Sequence, residues 1–243
     1  MRLNNTTLTP TTIETRFNES GFPTLSNITL GEGTKEAYHS LARLHYRTKS
    51  PATLERIICA TCQRSGELAG VLVTSRPTLN AAWRSIAWPG VFDQGTKPDR
   101  AKRINEELRT ISRVIIDQRF RGLGIAKRLV RSYIDRPDTR YTEAVAAMGA
   151  ISPFLERAGM RAVIIPEHHR DRRLRDLLEE HAKAPIDLLT SPGLRSSLET
   201  QLRHWARASA STRRLTDGPI EGIARDAAAR LIAPIHAYTH ETH

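Results

Sequence analysis

Apolar and polar positions alternate through the first part of the chain, which is typical of half-buried β-strands. This pattern predicts a strand over Leu25–Leu30 and two further strands over Leu54–Cys62 and Leu68–Thr74. A glycine-containing turn between the last two favours an antiparallel hairpin. Thr34 can cap a helix that follows the first strand and runs to about Tyr46. We therefore expect this part to fold as strands with one helix.

The most informative segment covers residues 111–133, where a strand, a turn and a helix follow one another. Ile111–Ile116 is rich in β-branched residues, as buried strands are. Gly122 and Gly124 come next, and apolar residues then recur at the spacing of an amphipathic helix. Glycine lets the backbone approach a ligand closely, and the first amides of a helix are unpaired within it. The segment therefore predicts a site for a phosphate or pyrophosphate group.

The later part of the chain changes in character. Strands are predicted over Thr142–Ala147 and Ala162–Ile165, with a short helix between them. Three amphipathic stretches then indicate helices separated by proline- and glycine-containing breaks, and the third of them runs to Tyr238. Their apolar stripes need burial, either against the rest of the chain or against a second copy. A homodimer formed through these helices is therefore one expectation.

The domain organisation that follows has three parts. Residues 1–21 are rich in threonine and asparagine and are expected to form an N-terminal arm. Residues 22–166 are expected to form an α/β domain, and residues 167–243 a helical C-terminal extension. Inside the domain, residues 76–108 form a long excursion between strands. Excursions of that length in a compact domain are usually functional or disordered.

The composition indicates a soluble chain that has enough apolar residues to form a core. Of 243 residues 39% are hydrophobic, and the mean hydropathy is −0.42. No apolar run approaches the roughly twenty residues that span a bilayer, and the N-terminus lacks an apolar signal core. Cys59 and Cys62 are spaced so that a strand places them on opposite faces, which favours two unpaired thiols in a reducing compartment. We expect a cytoplasmic protein that does not enter a membrane.

The net charge of +11 comes from 37 basic and 26 acidic residues and is unevenly distributed. Residues 100–161 carry 14 basic and 7 acidic groups, whereas residues 1–99 carry 11 and 8, and residues 162–243 carry 12 and 11. The excess thus surrounds the predicted phosphate site. Such a field attracts a phosphate-bearing cofactor, and it would equally attract nucleic acid. Charge alone leaves both partners open.

The spacing of the glycines distinguishes between known phosphate-binding loops. A P-loop would need Gly-Lys-Ser/Thr at its end, and a Rossmann fingerprint would need a third glycine where Lys127 stands. The pattern over 119–124, Arg-x-x-Gly-x-Gly, resembles the acyl-CoA loop of the GCN5-related N-acetyltransferase (GNAT) superfamily. A second motif agrees with it: Arg-Ala-Gly-Met over 157–160 is similar to the Lys-x-Gly-Phe that ends the superfamily's next helix.

The resemblance implies an α/β fold in which helices flank a GNAT-like twisted mixed β-sheet. It implies an N-acyltransferase that takes its acyl group from acetyl-CoA, or another acyl-CoA, and transfers it to an unidentified amine. The strand before the glycines would polarise the thioester carbonyl through a backbone amide, and the glycine loop would bind the pyrophosphate. The implied cofactor-binding residues are Val114, Ile115, Ile116, Arg119, Arg121, Gly122, Leu123, Gly124, Ile125, Ala126 and Phe154.

The sequence departs from the superfamily at the residue after Phe154, where a tyrosine often serves as general acid. Leu155 stands there and cannot donate a proton. The candidate catalytic residues are therefore Glu143 as base, Tyr46 as acid or substrate contact, and Ser112. A carboxylate in an apolar strand is costly unless it is paired, so Glu143 could instead be the partner of an arginine. Ser112 could equally be a satisfied strand hydroxyl. No metal site is predicted.

A weaker resemblance points to nucleic acid. The His-Tyr pair at 45–46 and the Ser-Arg pair at 112–113 are similar to the pattern of Mom-like phage DNA-modification proteins, which share the GNAT fold. The alternatives it implies are DNA base modification or a non-catalytic nucleic-acid-binding module. A scaffold that binds the cofactor without turnover is a further possibility. The residues that would contact a nucleic acid or another acceptor are His45, Tyr46, Arg113, Trp83 and Trp88.

Overall fold

The structure is a computed structural model, and it describes residues 24–44, 50–146, 149 and 152–242. The predicted arm over 1–21 lies outside the described residues. So do two of the candidate site residues, His45 and Tyr46.

Within the described residues, seven strands form one mixed sheet. They are β1 (Ile28–Glu32), β2 (Leu54–Cys62), β3 (Leu68–Ser75), β4 (Leu108–Ile116), β5 (Tyr141–Ala146), β6 (Arg161–Val163) and β7 (His236–Glu241). The strand order is β1-β2-β3-β4-β5-β7-β6, and neighbours are antiparallel except for β4 and β5, which are parallel. The first strand was predicted over Leu25–Leu30 but begins at Ile28 and continues to Glu32, because Leu25–Asn27 forms a 3-10 turn.

Helices flank the sheet and fill the segment between β6 and β7. They are α1 (Lys35–Ala42), α2 (Arg84–Ala87), α3 (Lys97–Glu107), α4 (Ile125–Ile134), α5 (Phe154–Arg157), α6 (His169–Glu180), α7 (Asp187–Thr190), α8 (Pro192–Ser197), α9 (Glu199–Arg207), α10 (Ala210–Arg213) and α11 (Ile220–Ile232). The predicted cap of α1 is present, because Thr34 Oγ1 accepts the Ala37 amide hydrogen at 3.3 Å. In the described ranges, no helix is long and apolar enough to cross a bilayer.

Apolar side chains pack on both faces of the sheet. α4 and α5 cover one face, where Leu129 packs among residues that include Leu72. α1 covers part of the other face with Tyr38. Cys59 belongs to the layer beneath α1 and Cys62 to the layer beneath α4, and both thiols are free. The prediction that these two cysteines lie on opposite faces is confirmed.

The excursion over 76–108 is folded, so of the two expectations that its length raised, disorder is wrong. It contains α2 and α3, and α3 begins at a capping box between Thr96 and Asp99. Two of its aromatic rings turn inward: Trp88 and Phe92 pack edge to face with each other, with ring centroids 5.6 Å apart, and with Tyr141 of β5, at 5.2 and 5.1 Å. Buried aromatic area of this size explains why the long segment packs on the sheet.

The end of the chain differs from the prediction, which continued a helix to Tyr238. α11 ends at Ile232, and β7 lies in the sheet between β5 and β6. Pro234 separates the two elements, and a proline does not continue a helix because it lacks the amide hydrogen. The helices of residues 167–243 are therefore an insertion between two strands of the sheet, and the segment is not helical throughout.

The inserted helices α6 to α11 have an apolar core of their own. Leu174, Leu202 and Trp205 are among its buried members. Polar contacts tie the same helices together: the Asp171 carboxylate accepts the Trp205 indole N–H at 2.7 Å, and the Arg170 guanidinium lies 4.2 Å from the Trp205 ring centroid. The predicted apolar stripes are thus buried within the chain and do not need a second copy. The homodimer stays an untested prediction.

Candidate functional site

A β-bulge interrupts β4 in front of the glycine motif. In the register of β3 and β4, Arg113 pairs with Val73, whereas Ile111 pairs with the next residue of β3. Ser112 is thus the extra residue in β4. Bulges bend a strand and increase its local twist. The strand therefore changes direction at this residue.

β4 and β5 separate directly at the bulge. Their parallel pairing runs from Leu108 to Ile111 on β4 and ends at Ala144 on β5, although β4 continues to Ile116. The later residues of β4 remain paired with β3. A wedge-shaped gap therefore opens within the sheet between the ends of β4 and β5.

Backbone amides of β4 face this gap. The amide of Asp117 donates to the Ala69 carbonyl of β3 at 2.9 Å. Alternate residues of a strand direct their N–H and C=O groups to opposite sides. The amides of Val114 and Ile116 therefore point away from β3, toward the side from which β5 has diverged. These are the strand residues from which a carbonyl-polarising amide was expected.

The two glycines form a tight turn at the mouth of the gap. Gly122 and Gly124 adopt left-handed backbone conformations, with φ of +83° and +80°. Gly124 is the residue that caps α4. A Cβ built on either glycine would meet no described atom within 4 Å, so the turn borders open space. The unpaired amides of the first turn of α4, at the positive end of the helix dipole, thus border a space that an anion could fill.

Strand, turn and helix together enclose a cleft of about 580 Å³. The predicted cofactor residues that line it are Val114, Ile115, Ile116, Arg121, Gly122, Gly124, Ile125, Ala126 and Phe154. Five further residues line the cleft without having been predicted as cofactor contacts: Leu44, Phe120, Lys127, Ser152 and Arg157. Arg157 belongs to the second motif, over 157–160, so its place in that motif is the signal in the sequence that points to it.

Solved structures with a similar fold are distant from this chain. An acetyltransferase of Bacillus subtilis in complex with CoA is 17% identical, with a TM-score of 0.39 over 61% of this chain and 84% of that one. Ard1 from Thermoplasma volcanium is 13% identical, with a TM-score of 0.36 over 57% of this chain and 85% of that one. Arylalkylamine N-acetyltransferase 2 from Aedes aegypti is 14% identical, with a TM-score of 0.33 over 56% of this chain and 83% of that one. Neither a protein-family model nor a curated protein matches the sequence.

The topology itself decides the fold. A mixed sheet carries helices on both faces, its parallel strands β4 and β5 diverge, and a glycine turn leads from β4 into α4. The mixed sheet, the flanking helices and the glycine turn are what the resemblance implied, whereas the divergence of β4 and β5 was not predicted. The fold is of the GNAT type.

Within this GNAT-type fold, Arg119 braces the glycine turn from outside the cleft. Its guanidinium pairs with Asp117 at 3.1 Å and with Glu67 at 2.5 Å. Hydrogen bonds from Arg119 hold the pKa of both carboxyls below their usual range. The side chain therefore links the turn to the β2–β3 hairpin and does not line the cleft, contrary to its predicted role as a cofactor contact. Leu123, also predicted as a contact, packs against the core beneath α4.

Glu143 lies in a buried ion pair, away from the cleft. Its Oε2 accepts from Arg84 Nε and its Oε1 from Arg84 Nη2, both at 2.8 Å, and the hydroxyl of Thr110 donates to Oε1 at 2.7 Å. Glu143 is 2% exposed and Arg84 3%. A carboxylate with both oxygens engaged and no access to substrate is not an available base. Of the two interpretations that the sequence left open, the structure favours the arginine partner over the catalytic base.

The other candidate side chains are also occupied. The Ser112 hydroxyl donates to the Val73 carbonyl at 3.1 Å, which matches the reading as a satisfied strand hydroxyl. Arg113 is buried and donates to the Ser112 carbonyl at 2.7 Å. Trp88 is 4% exposed within its aromatic cluster, and Trp83 packs against the same cluster. The two tryptophans therefore do not offer the exposed stacking surface that a nucleic-acid role requires.

Leu155 is buried beneath α4, and the preceding Phe154 lines the cleft. The described lining residues include arginine, lysine and serine but no tyrosine, histidine or carboxylate. No cluster of histidine, cysteine, aspartate and glutamate in the described residues could hold a metal ion. The basic side chains of the lining make the cleft suited to binding an anionic ligand.

Proposed function

We propose that the chain is an acyl-CoA-dependent N-acyltransferase, most simply an acetyl-CoA-dependent one, that acts on an amine. One observation carries the proposal: the gap between β4 and β5 receives two backbone amides and ends at the glycine turn of α4. A thioester that bears a pyrophosphate has these two requirements, a carbonyl to polarise and an anion to neutralise. Residues of the strand and of the glycine turn line one and the same cleft, which supports this assignment.

Different residues of the cleft would bind different parts of the cofactor. The turn at Gly122 and Gly124 would hold the pyrophosphate through backbone amides. Arg121, Lys127 and Arg157 line the same cleft and would supply positive charge. Because both glycine Cβ positions border open space, the turn has room for phosphate oxygens close to its backbone.

The strand would provide the electrostatic part of catalysis. The Val114 and Ile116 amides point toward the gap, and a preorganised N–H that meets a developing oxyanion is often the largest single contribution in acyl transfer. Their direction is fixed by the pairing of β4 with β3, so no reorganisation is needed when charge develops. The acceptor amine attacks the thioester carbonyl, the C–N bond forms, and the C–S bond then breaks.

The hypothesis of a nucleic-acid-directed protein is less well supported than the sequence suggested, because Trp88 is buried and Arg113 lies within the sheet. The basic segment over 100–161 is accounted for in part by cleft residues and in part by ion pairs such as that of Arg119. Cytoplasmic location and the role of Tyr46 as acid or substrate contact remain part of the proposal.

Isothermal titration of the full chain with acetyl-CoA tests the proposal. We expect saturable one-to-one binding that weakens as salt rises, because phosphate charges are neutralised at the turn. CoA without the acetyl group should bind with similar affinity, whereas acetylated pantetheine without the phosphates should bind much more weakly. Folded protein that binds none of the three would refute the proposed function.

A further inference from the structure

A groove of about 500 Å³ lies between helices α6 and α9 of the insertion. None of the described residues that line this α6–α9 groove lines the cleft at the glycine turn. Arg170, Leu174 and Trp205 are buried members of its lining, whereas His169 and Arg173 are exposed. Its volume is in the range that small-molecule sites usually have. The α6–α9 groove is thus a second concave surface with polar groups, separate from the proposed acyl-CoA site.

Arg170 is a buried charge whose hydrogen-bonding capacity is not fully used. The residue is 7% exposed, and its guanidinium lies over the Trp205 ring. Its Nη1 donates to the Trp205 carbonyl at 2.8 Å and to the Thr212 hydroxyl at 2.7 Å. Its Nε has no hydrogen-bond partner among the described residues. Because buried polar groups nearly always have a partner, this guanidinium is incompletely satisfied by the protein.

The charge of Arg170 is also incompletely balanced. Asp171 Oδ1 lies 3.4 Å from Arg170 Nε, but the same carboxylate accepts from Arg230 Nε and from the Trp205 indole N–H, each at 2.7 Å. One carboxylate therefore faces two guanidiniums. Burial lowers the pKa of Arg170, whereas Asp171 raises it and Arg230 lowers it. A buried cation in this position would be stabilised by a further anion.

The start of α6 adds to the attraction for an anion. α6 begins at His169, which lines the groove, so the positive end of the helix dipole lies there. Arg173 also lines the groove and forms no ion pair with another described residue. Arginine near a helix N-terminus opposes the dipole and weakens the helix. The same arrangement strengthens an anion site, so a ligand explains it better than folding does.

Two carboxylates farther along α6 limit the kind of anion that fits. Asp176 and Glu180 line the groove about 4.5 and about 10.5 Å beyond Arg173, at a rise of 1.5 Å per residue. Neither forms an ion pair with another described residue. A nucleic acid or another polyanion that ran along the groove would be repelled by both. The groove therefore favours a small ligand with one anionic group.

We propose that the α6–α9 groove binds a small molecule through one oxyanion group, a carboxylate or a phosphate, held by the Arg170 and Arg173 guanidiniums. A guanidinium can donate parallel N–H bonds to two oxygens of either group. The ligand would supply the counter-charge that Asp171 shares with Arg230. The site goes beyond the proposed acyl transfer and does not depend on it.

Titration of the nitrogen-15-labelled full chain with acetate and with methyl phosphate tests the proposal, because each probe carries little more than one oxyanion. At constant ionic strength, the NMR signal of the Arg170 Nε–H should shift and saturate with at least one probe, and the tighter probe identifies the group. Arg173→Gln should weaken binding at least about 10-fold. Arg172→Gln removes the same charge from an exposed position outside the groove lining and should bind like the parent.

Tripolyphosphate tests the part that the carboxylates play. The parent should bind it more weakly than methyl phosphate, and Glu180→Gln should bind it more tightly than the parent does. Glu179→Gln, on the same helix but outside the groove lining, is the matched control and should not change it. Shifts that do not saturate, or equal affinity of the parent and Arg173→Gln, would overturn the proposal. Tighter binding of tripolyphosphate by the parent would also overturn it and indicate a polyanion surface. Because the Arg170 signal reports on this groove alone, these results are independent of acetyl-CoA binding.

Discussion

Arg84 and Glu143 are joined by two parallel hydrogen bonds inside the protein, each 2.8 Å long. Arg84 belongs to the excursion over 76–108 and Glu143 to β5, so the pair fastens the excursion to the sheet. The guanidinium also donates to the Thr78 carbonyl at 2.6 Å. Removing one partner of such a pair leaves an uncompensated buried charge. The pair thus holds the excursion against β5 beside the point where β4 and β5 separate.

Glu143→Gln should therefore lower stability and leave chemistry largely intact. The change preserves shape but leaves the Arg84 charge unbalanced, and we expect the free energy of unfolding to fall by about 3 kcal/mol in urea denaturation. Glu55→Gln breaks the exposed pair with Arg76 and serves as the control with little change. If Glu143→Gln were as stable as the parent but had lost turnover, the interpretation of Glu143 as a catalytic base would be favoured instead.

Trp88→Ala should unfold the excursion rather than weaken a binding surface. The ring is buried between Phe92 and Tyr141, and truncation of a buried aromatic residue costs about 3–5 kcal/mol. Trp83→Ala, at a half-buried position, should cost clearly less. Denaturation curves give both values. If Trp88→Ala kept full stability and reduced DNA affinity at low salt, the nucleic-acid alternative would regain its support.

Arg119→Ala should make the protein less sensitive to acid. Arg119 lowers the pKa of Glu67 and Asp117 in the folded state. Stability from a lowered carboxyl pKa is present above the ordinary carboxyl range of about pH 4 and is lost as pH falls through the folded-state pKa. Between about pH 5 and pH 3, the free energy of unfolding of the parent should therefore fall by more than that of the variant. Carbon-13 NMR titration should show both pKa values rise in Arg119→Ala; unchanged values would contradict the pairing.

Truncation tests the place of β7 in the sheet. A chain that stops before residue 236 loses the strand between β5 and β6, and we expect it not to unfold cooperatively. A chain in which a short glycine-serine linker replaces residues 167–235 should keep a cooperative transition, because β6 and β7 are antiparallel neighbours and need only a short connection. Calorimetry of both chains distinguishes an insertion from a terminal extension. A folded, cooperative chain ending at residue 166 would contradict this account.

Local patterns predicted most of the fold, whereas distant pairings escaped them. β4, the glycine turn and α4 were predictable because periodicity and glycine spacing reside in one continuous segment. β7 was missed because two alanine-rich turns of α11 precede a strand of six residues, and its partners β5 and β6 lie far back in the chain. The cost of burying Glu143 was visible in the sequence, but Arg84 could not be named as its partner across 59 positions.

The most direct measurement of the central claim is the acetyl-CoA affinity of Gly122→Glu against Gly66→Glu. Both glycines have positive φ and open space around a Cβ, so the two variants carry the same strain and the same charge change, but Gly66 lies in the β2–β3 turn. Two like charges about 4 Å apart repel by about 4 kcal/mol at an effective dielectric constant near 20. We therefore predict that Gly122→Glu weakens binding at least about 10²-fold and that Gly66→Glu binds like the parent. Equal affinity of all three proteins would show that the glycine turn is not the pyrophosphate site.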